Sequence, residues 1–154
     1  MGYDMMAYVD VSQEAVDDII KEGNFNRNDY FGGTARQIAD AYKARFLPDF
    51  PFDLYYEYNE RCNMHELHAS HPTSFIRDDE RFDNRRYIKL LEEKVGEEFP
   101  DVLQNINWTM RTSDDAVIVA DGIRKFFPEY DHLQLFAEWC EKTAEVCGTY
   151  ELNY

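Results

Sequence analysis

The stretch "YVDVSQEAVDDII" (Tyr8 to Ile20) passes from a strand-like segment through Ser12 into a helical pattern, and "WTMRTSDDAVIVA" (Trp108 to Ala120) does the same around Ser113. Both carry Ser, any residue, an acid, Ala and Val in that order. A serine so placed can cap a helix by accepting a bond from a backbone N–H that has no intrahelical partner. The acids that follow suit the positive end of the helix dipole. Whether the match reflects related halves or two separate uses of one capping chemistry, each stretch predicts a strand-to-helix junction.

Outward from these junctions the pattern repeats. Residues 3–11 read as a strand and 13–22 as a helix ended by Gly23. "TARQIADAYKARF" (Thr34 to Phe46) reads as a second helix, capped by Thr34 and stopped by Pro48. "FDLYYEYN" (Phe52 to Asn59) places Phe52, Leu54, Tyr56 and Tyr58 on one side of a strand. In the last third, "INWTMRT" (Ile106 to Thr112) alternates as a strand. A helix follows with Ala116, Val119, Ala120, Ile123 and Phe127 on one stripe, ended by Pro128. Another begins near Asp131 with Leu133, Phe136, Ala137, Cys140 and Ala144 on its apolar side and Gly148 beyond its end. "TYELNY" closes the chain as a strand. The expectation is therefore an α+β two-layer sandwich, with a ferredoxin-like arrangement of two strand–helix–helix–strand halves. The 154 residues are read as a single domain, 1–154, with a neutral helical insertion at about 61–104.

Charge marks the same division. Residues 1–60 carry 12 acidic and 5 basic groups, residues 95–154 carry 12 and 4, and residues 61–94 carry seven of each. The net charge of −15 disfavours nucleic acid and anionic membranes as direct partners and favours a basic protein surface. No apolar run approaches the roughly 18 residues of a membrane span. The opening "MGYDMMAYVD" resembles neither a secretory leader nor a myristoylation site. Three cysteines, two of them seven apart on one expected helix, predict reduced thiols and a cytoplasmic setting.

Three sets of residues are candidates for function. "RCNMHELHASHP" holds Cys62, His65, His68 and His71, donors that zinc accepts, with Glu66 as a possible base. The spacing of three matches no familiar zinc pattern, and the alternative is a polar connector. Arg77, Arg81, Arg85 and Lys89 recur every four residues as a basic stripe, either an anion site or a solvated, ion-paired helix face. Asp17, Asp18, Glu22, Glu138, Glu141 and Glu145 form acidic rows that could face a basic partner. Gly32–Gly33 before the second helix is read as a turn.

The leading expectation is a non-enzymatic interaction module without a cofactor. Its sharpest form is an acidic inhibitor or adaptor that imitates nucleic acid and binds a basic, possibly nucleic-acid-binding, surface. The alternative is a small metal-dependent enzyme or zinc-binding protein built on Cys62, His65, His68 and His71. The aromatic content, 16% of residues, also admits a homodimer.

Overall fold

The computed structural model describes residues 4–26, 33–70, 110–126, 128–129 and 131–153. Its elements are β1 (Asp4–Val9), α1 (Gln13–Gly23), α2 (Thr34–Phe46), β2 (Tyr55–Asn59), β3 (Met64–Ser70), α3 (Ser113–Phe126), α4 (Asp131–Val146) and β4 (Cys147–Asn153). The strands form an antiparallel sheet in the order β2-β3-β1-β4, so the fold is α+β, as the pattern predicts. The chain groups into two compact units. One is Tyr8–Ser70; the other is Met1–Ala7 with His71–Tyr154.

In the Tyr8–Ser70 unit, Ser12 caps α1 through Oγ, which accepts from the N–H of Ala15 at 3.3 Å. The helix closes at Asn24, whose φ of 51° is left-handed. Gly23 is thus the last helical residue and Asn24 the stop, since asparagine tolerates this region. At α2 the expected Thr34 cap is corrected. Gly33, at φ 81°, is the N-cap and makes no side-chain bond, while Thr34 is helical and buried. Only glycine takes that backbone angle without cost. Val16 and Ile19 of α1 and Ile38, Ala39 and Tyr42 of α2 are buried. α1 packs against β3 and α2 against β2. Leu54, Tyr56 and Tyr58 are buried on the helix-covered side, as their alternation predicts. Burying each aliphatic side chain among these, Val16, Ile19, Ile38 and Leu54, contributes roughly 1.5–3 kcal/mol of transfer free energy.

The largest departure from expectation is β3. Residues 61–70 are neither a connector nor the head of a helical insertion. They are a turn and a strand pairing one-to-one with β2, from Asn59↔Met64 to Tyr55↔His68. The turn is built by two asparagines. Asn59 Oδ1 accepts from the N–H of Arg61 at 3.1 Å, and Asn63 takes a left-handed φ of 55°. The rest of the expected insertion, 71–104, lies outside the described residues. So does most of the strand expected at 106–112, of which Thr112 makes a single antiparallel bridge to Thr149.

In the other unit the cap of α3 is Thr112 rather than Ser113. Thr112 Oγ1 accepts from the N–H of Asp115 at 3.3 Å, and the Asp115 carboxylate accepts from the N–H of Thr112 at 3.2 Å. This reciprocal pair satisfies two N–H groups where the serine would satisfy one. Arg124 ties α3 to α4 by donating to Gln134 at 2.7 Å and Glu141 at 2.6 Å. α4 runs directly into β4, which places Cys147 on the strand and not on the helix of Cys140. Both thiols are buried, Cys62 is exposed, and no disulfide joins the three. Burial pushes the Cys140 thiol well above its ordinary range.

Under α4, Thr143 donates to the Trp139 carbonyl at 2.7 Å and shares a 2.7 Å bond with the Tyr150 hydroxyl. Tyr150 stands edge-on to Trp139, and burial raises its hydroxyl pKa well above the ordinary value. Thr143→Val keeps the volume but orphans the Tyr150 hydroxyl, and should cost about 1–2 kcal/mol in urea denaturation. Thr143→Ser should retain most of the stability, and equal losses in the two variants would show that the hydroxyl bond is unimportant.

Candidate functional site

β3 has two faces, and the two histidines of "HELH" lie on different ones. His65, Leu67 and Ala69 are buried against the helices, whereas Met64, Glu66, His68 and Ser70 alternate with them on the other side.

On the helix side His65 is 4% exposed and fully bonded. Tyr56 Oη lies 2.7 Å from Nδ1, and Asp17 Oδ1 lies 2.7 Å from Nε2. With Tyr56 donating to Nδ1, the imidazole proton sits on Nε2 and points at the carboxylate. Gln13, one turn before Asp17, holds the same residue by its backbone. Its Nε2 donates to the His65 carbonyl at 2.9 Å, and its Oε1 accepts from the His65 N–H at 2.6 Å. Gln13 therefore supplies a side-chain amide where a neighbouring strand would supply a backbone one. Two residues spaced i, i+4 on α1 share a face and grip one residue of β3. The arrangement fastens helix to sheet, and the buried ring leaves no nitrogen to a substrate.

The outward side of the hairpin is different. Tyr55, 49% exposed, stacks on His68 with ring centroids 5.6 Å apart, and Tyr8 lies 5.7 Å from the same ring. The next opposed pair is Glu57 and Glu66. Like charges placed directly across an antiparallel pair destabilise it. Asn59 donates to Glu66 Oε1 at 3.1 Å, and among the described residues neither carboxylate is in an ion pair. An open cleft of ≈ 590 Å³ runs beside them, lined by Glu57, Tyr58, Asn59, Glu60, Arg61 and Glu66.

His68 Nδ1 is buried without a hydrogen-bond partner among the described residues. Burial lowers the His68 pKa, against the opposing pull of Glu57 and Glu66. A histidine whose folded pKa is depressed binds its proton first in the unfolded chain. Its contribution to stability is therefore present above about pH 6.5 and is lost as pH falls through the lower folded value. Unfolding free energy measured from pH 7.5 to 5 should decline, and His68→Asn should flatten that decline. An unchanged slope in the variant would remove His68 as its source.

The donors singled out in the sequence do not converge here. Cys62 is exposed in the turn, His65 and His68 face opposite ways, and His71 lies outside the described residues. Among the described residues no group of three His, Cys, Asp or Glu side chains is placed to hold a metal ion. Arg77, Arg81, Arg85 and Lys89 also lie outside the described residues. Of the acidic rows, Asp17 is bound to His65, Glu22 pairs with Arg45 at 2.5 Å and Glu141 pairs with Arg124 at 2.6 Å. Asp18 and Glu145 are exposed and Glu138 is half-buried. Sequence reasoning missed Tyr55, Glu57 and Tyr8, whose proximity to His68 appears only once β3 is known to lie between β2 and β1. Among the described residues no helix is long and apolar enough to cross a membrane. No protein-family model matches the chain, nor does any curated protein or solved structure.

Proposed function

We propose that the chain is a non-enzymatic interaction module, an inhibitor or adaptor that binds a basic protein surface through the outward side of the β2–β3 hairpin. The observation behind this reading is the opposition of Glu57 and Glu66 beside the Tyr55–His68 ring pair. Two like charges at one rung cost stability and would be relieved by a bound cation. Lysine and arginine side chains are attracted both to carboxylates and to aromatic faces, and a site offering both favours them over neutral groups. The net charge of −15 adds long-range steering towards any basic surface, including that of a nucleic-acid-binding protein.

Recognition then falls on the sheet and not on the helical rows. Asp17, Glu22 and Glu141 are already engaged by the chain itself, which leaves Asp18, Glu138 and Glu145 of those rows to contribute to the general field. A lysine- and arginine-rich peptide titrated into the protein should bind at 50 mM salt and weaken by about tenfold or more at 300 mM. Binding that ignores salt, or no binding at low salt, would defeat the proposal.

A further inference from the structure

We infer that the basic group taken by the hairpin face is an arginine side chain in preference to a lysine, which deepens the function proposed above and rests on it. Every residue of the site belongs to the Tyr8–Ser70 unit. The N–H and C=O of His65 both bond to the side chain of Gln13, so they face away from β2. Backbone groups alternate in direction along a strand, so those of the next residue, Glu66, face β2. Glu57 and Glu66 are therefore a rung of the kind that exchanges two backbone bonds, with Cα atoms about 5.5 Å apart. Their side chains leave the same face of the sheet and stand side by side. Asn59 holds one oxygen of Glu66 at 3.1 Å.

An ammonium is a compact, strongly hydrated point charge. A guanidinium is a plane with donors on several edges, can lie across two neighbouring carboxylates, and gives up its water more readily. Hydration matters here because Glu66 is half-buried. The neighbouring ring favours the same choice. Tyr55 lies two residues before Glu57 on the same face, about 7 Å along the strand, and stays half-exposed beside its stack on His68. Long side chains reach across that distance, so a guanidinium held at the rung can stack on the Tyr55 ring, a contact that arginine makes better than lysine. The open cleft of ≈ 590 Å³ beside the rung admits the side chain from solvent. Arg61 lines that cleft but, among the described residues, pairs with neither carboxylate, so the chain's own guanidinium does not fill the rung.

The test titrates the full chain, at about 50 mM salt, with three glycine–serine peptides that differ only in one central residue. That residue is arginine, lysine or citrulline, the last keeping the shape of arginine without its charge. Binding is followed by the NMR signals of the His68 and Tyr55 rings. The arginine peptide should bind at least about fivefold more tightly than the lysine peptide and shift both rings, and the citrulline peptide should not bind. In Tyr55→Leu the arginine–lysine ratio should fall to about two or less. Equal, salt-sensitive binding of the arginine and lysine peptides overturns the arginine preference and leaves the basic-partner reading standing. An arginine preference without ring shifts, or one undiminished in Tyr55→Leu, places the guanidinium elsewhere and overturns the site. Failure of all three peptides while the lysine- and arginine-rich peptide binds overturns the arginine reading alone. Failure of that peptide as well overturns both.

Discussion

Replacing His65 with alanine should lower the unfolding free energy by about 3–5 kcal/mol, a large part of what holds a chain of this size together. Three costs combine. The Tyr56 hydroxyl, on a residue 6% exposed, loses its 2.7 Å bond to Nδ1. The Asp17 carboxylate loses a bond to the sheet, although its side chain is 53% exposed and can rehydrate. The missing ring also leaves a cavity beside Tyr58, whose ring centroid lies 5.4 Å from that of His65. His65→Phe separates these effects, because it refills the space but restores neither hydrogen bond. It should recover about 1–2 kcal/mol of the loss. Gln13→Ala removes the two backbone bonds while keeping the ring, and should cost about 1–2 kcal/mol. Denaturant melts of the three variants decide the matter. A loss below about 1 kcal/mol in His65→Ala would mean that the ring is incidental to the attachment of α1.

Substituting both carboxylates of the opposed rung, Glu57→Gln with Glu66→Gln, should move stability and binding in opposite directions. Stability should rise by several tenths of a kcal/mol to about 1 kcal/mol, since like charges across a strand pair are removed while the polar shape is kept. Affinity for a basic peptide should fall by about tenfold or more at low salt. A chain at −15 attracts cations from every side, so a charge-matched control is needed. Asp18→Asn with Glu145→Gln removes the same two charges from exposed helical positions. If the control weakens binding as much as the rung variant does, attraction is diffuse and the hairpin face is not the site. If the rung variant loses stability, Glu57 and Glu66 are held by favourable contacts and the case for a binding role collapses. A position where removing charge strengthens the fold and weakens recognition is the expected mark of a site kept for function.

Much of the architecture is legible in the sequence. The strand–helix junction at Ser12 follows from its capping residue, and α1 and α2 follow from apolar spacing within ten or so neighbours. The same local signals placed the helices after residue 112, although the cap moved one residue because Thr112 and Asp115 can serve each other. β3 was not readable. Of its three inward positions only Leu67 and Ala69 are apolar, and the third is a histidine. Period-two hydrophobicity therefore fails over "MHELHAS", while three histidines spaced three apart suggest a metal.

What makes His65 an inward residue lies 48 and 52 residues away, in Asp17 and Gln13. A buried imidazole is tolerable only where other side chains satisfy both nitrogens, and no local pattern announces that they will. The functional face depends on register in the same way, because a shift of one residue would carry Glu57, Tyr55 and His68 to the other side of the sheet. Sequence alone determined the acidity, the element types over most of the described chain and the α+β class, because these are sums or short-range periodicities. Only the tertiary structure decided which histidine is locked inside and which charges confront each other, because both are set by pairing between segments distant along the chain.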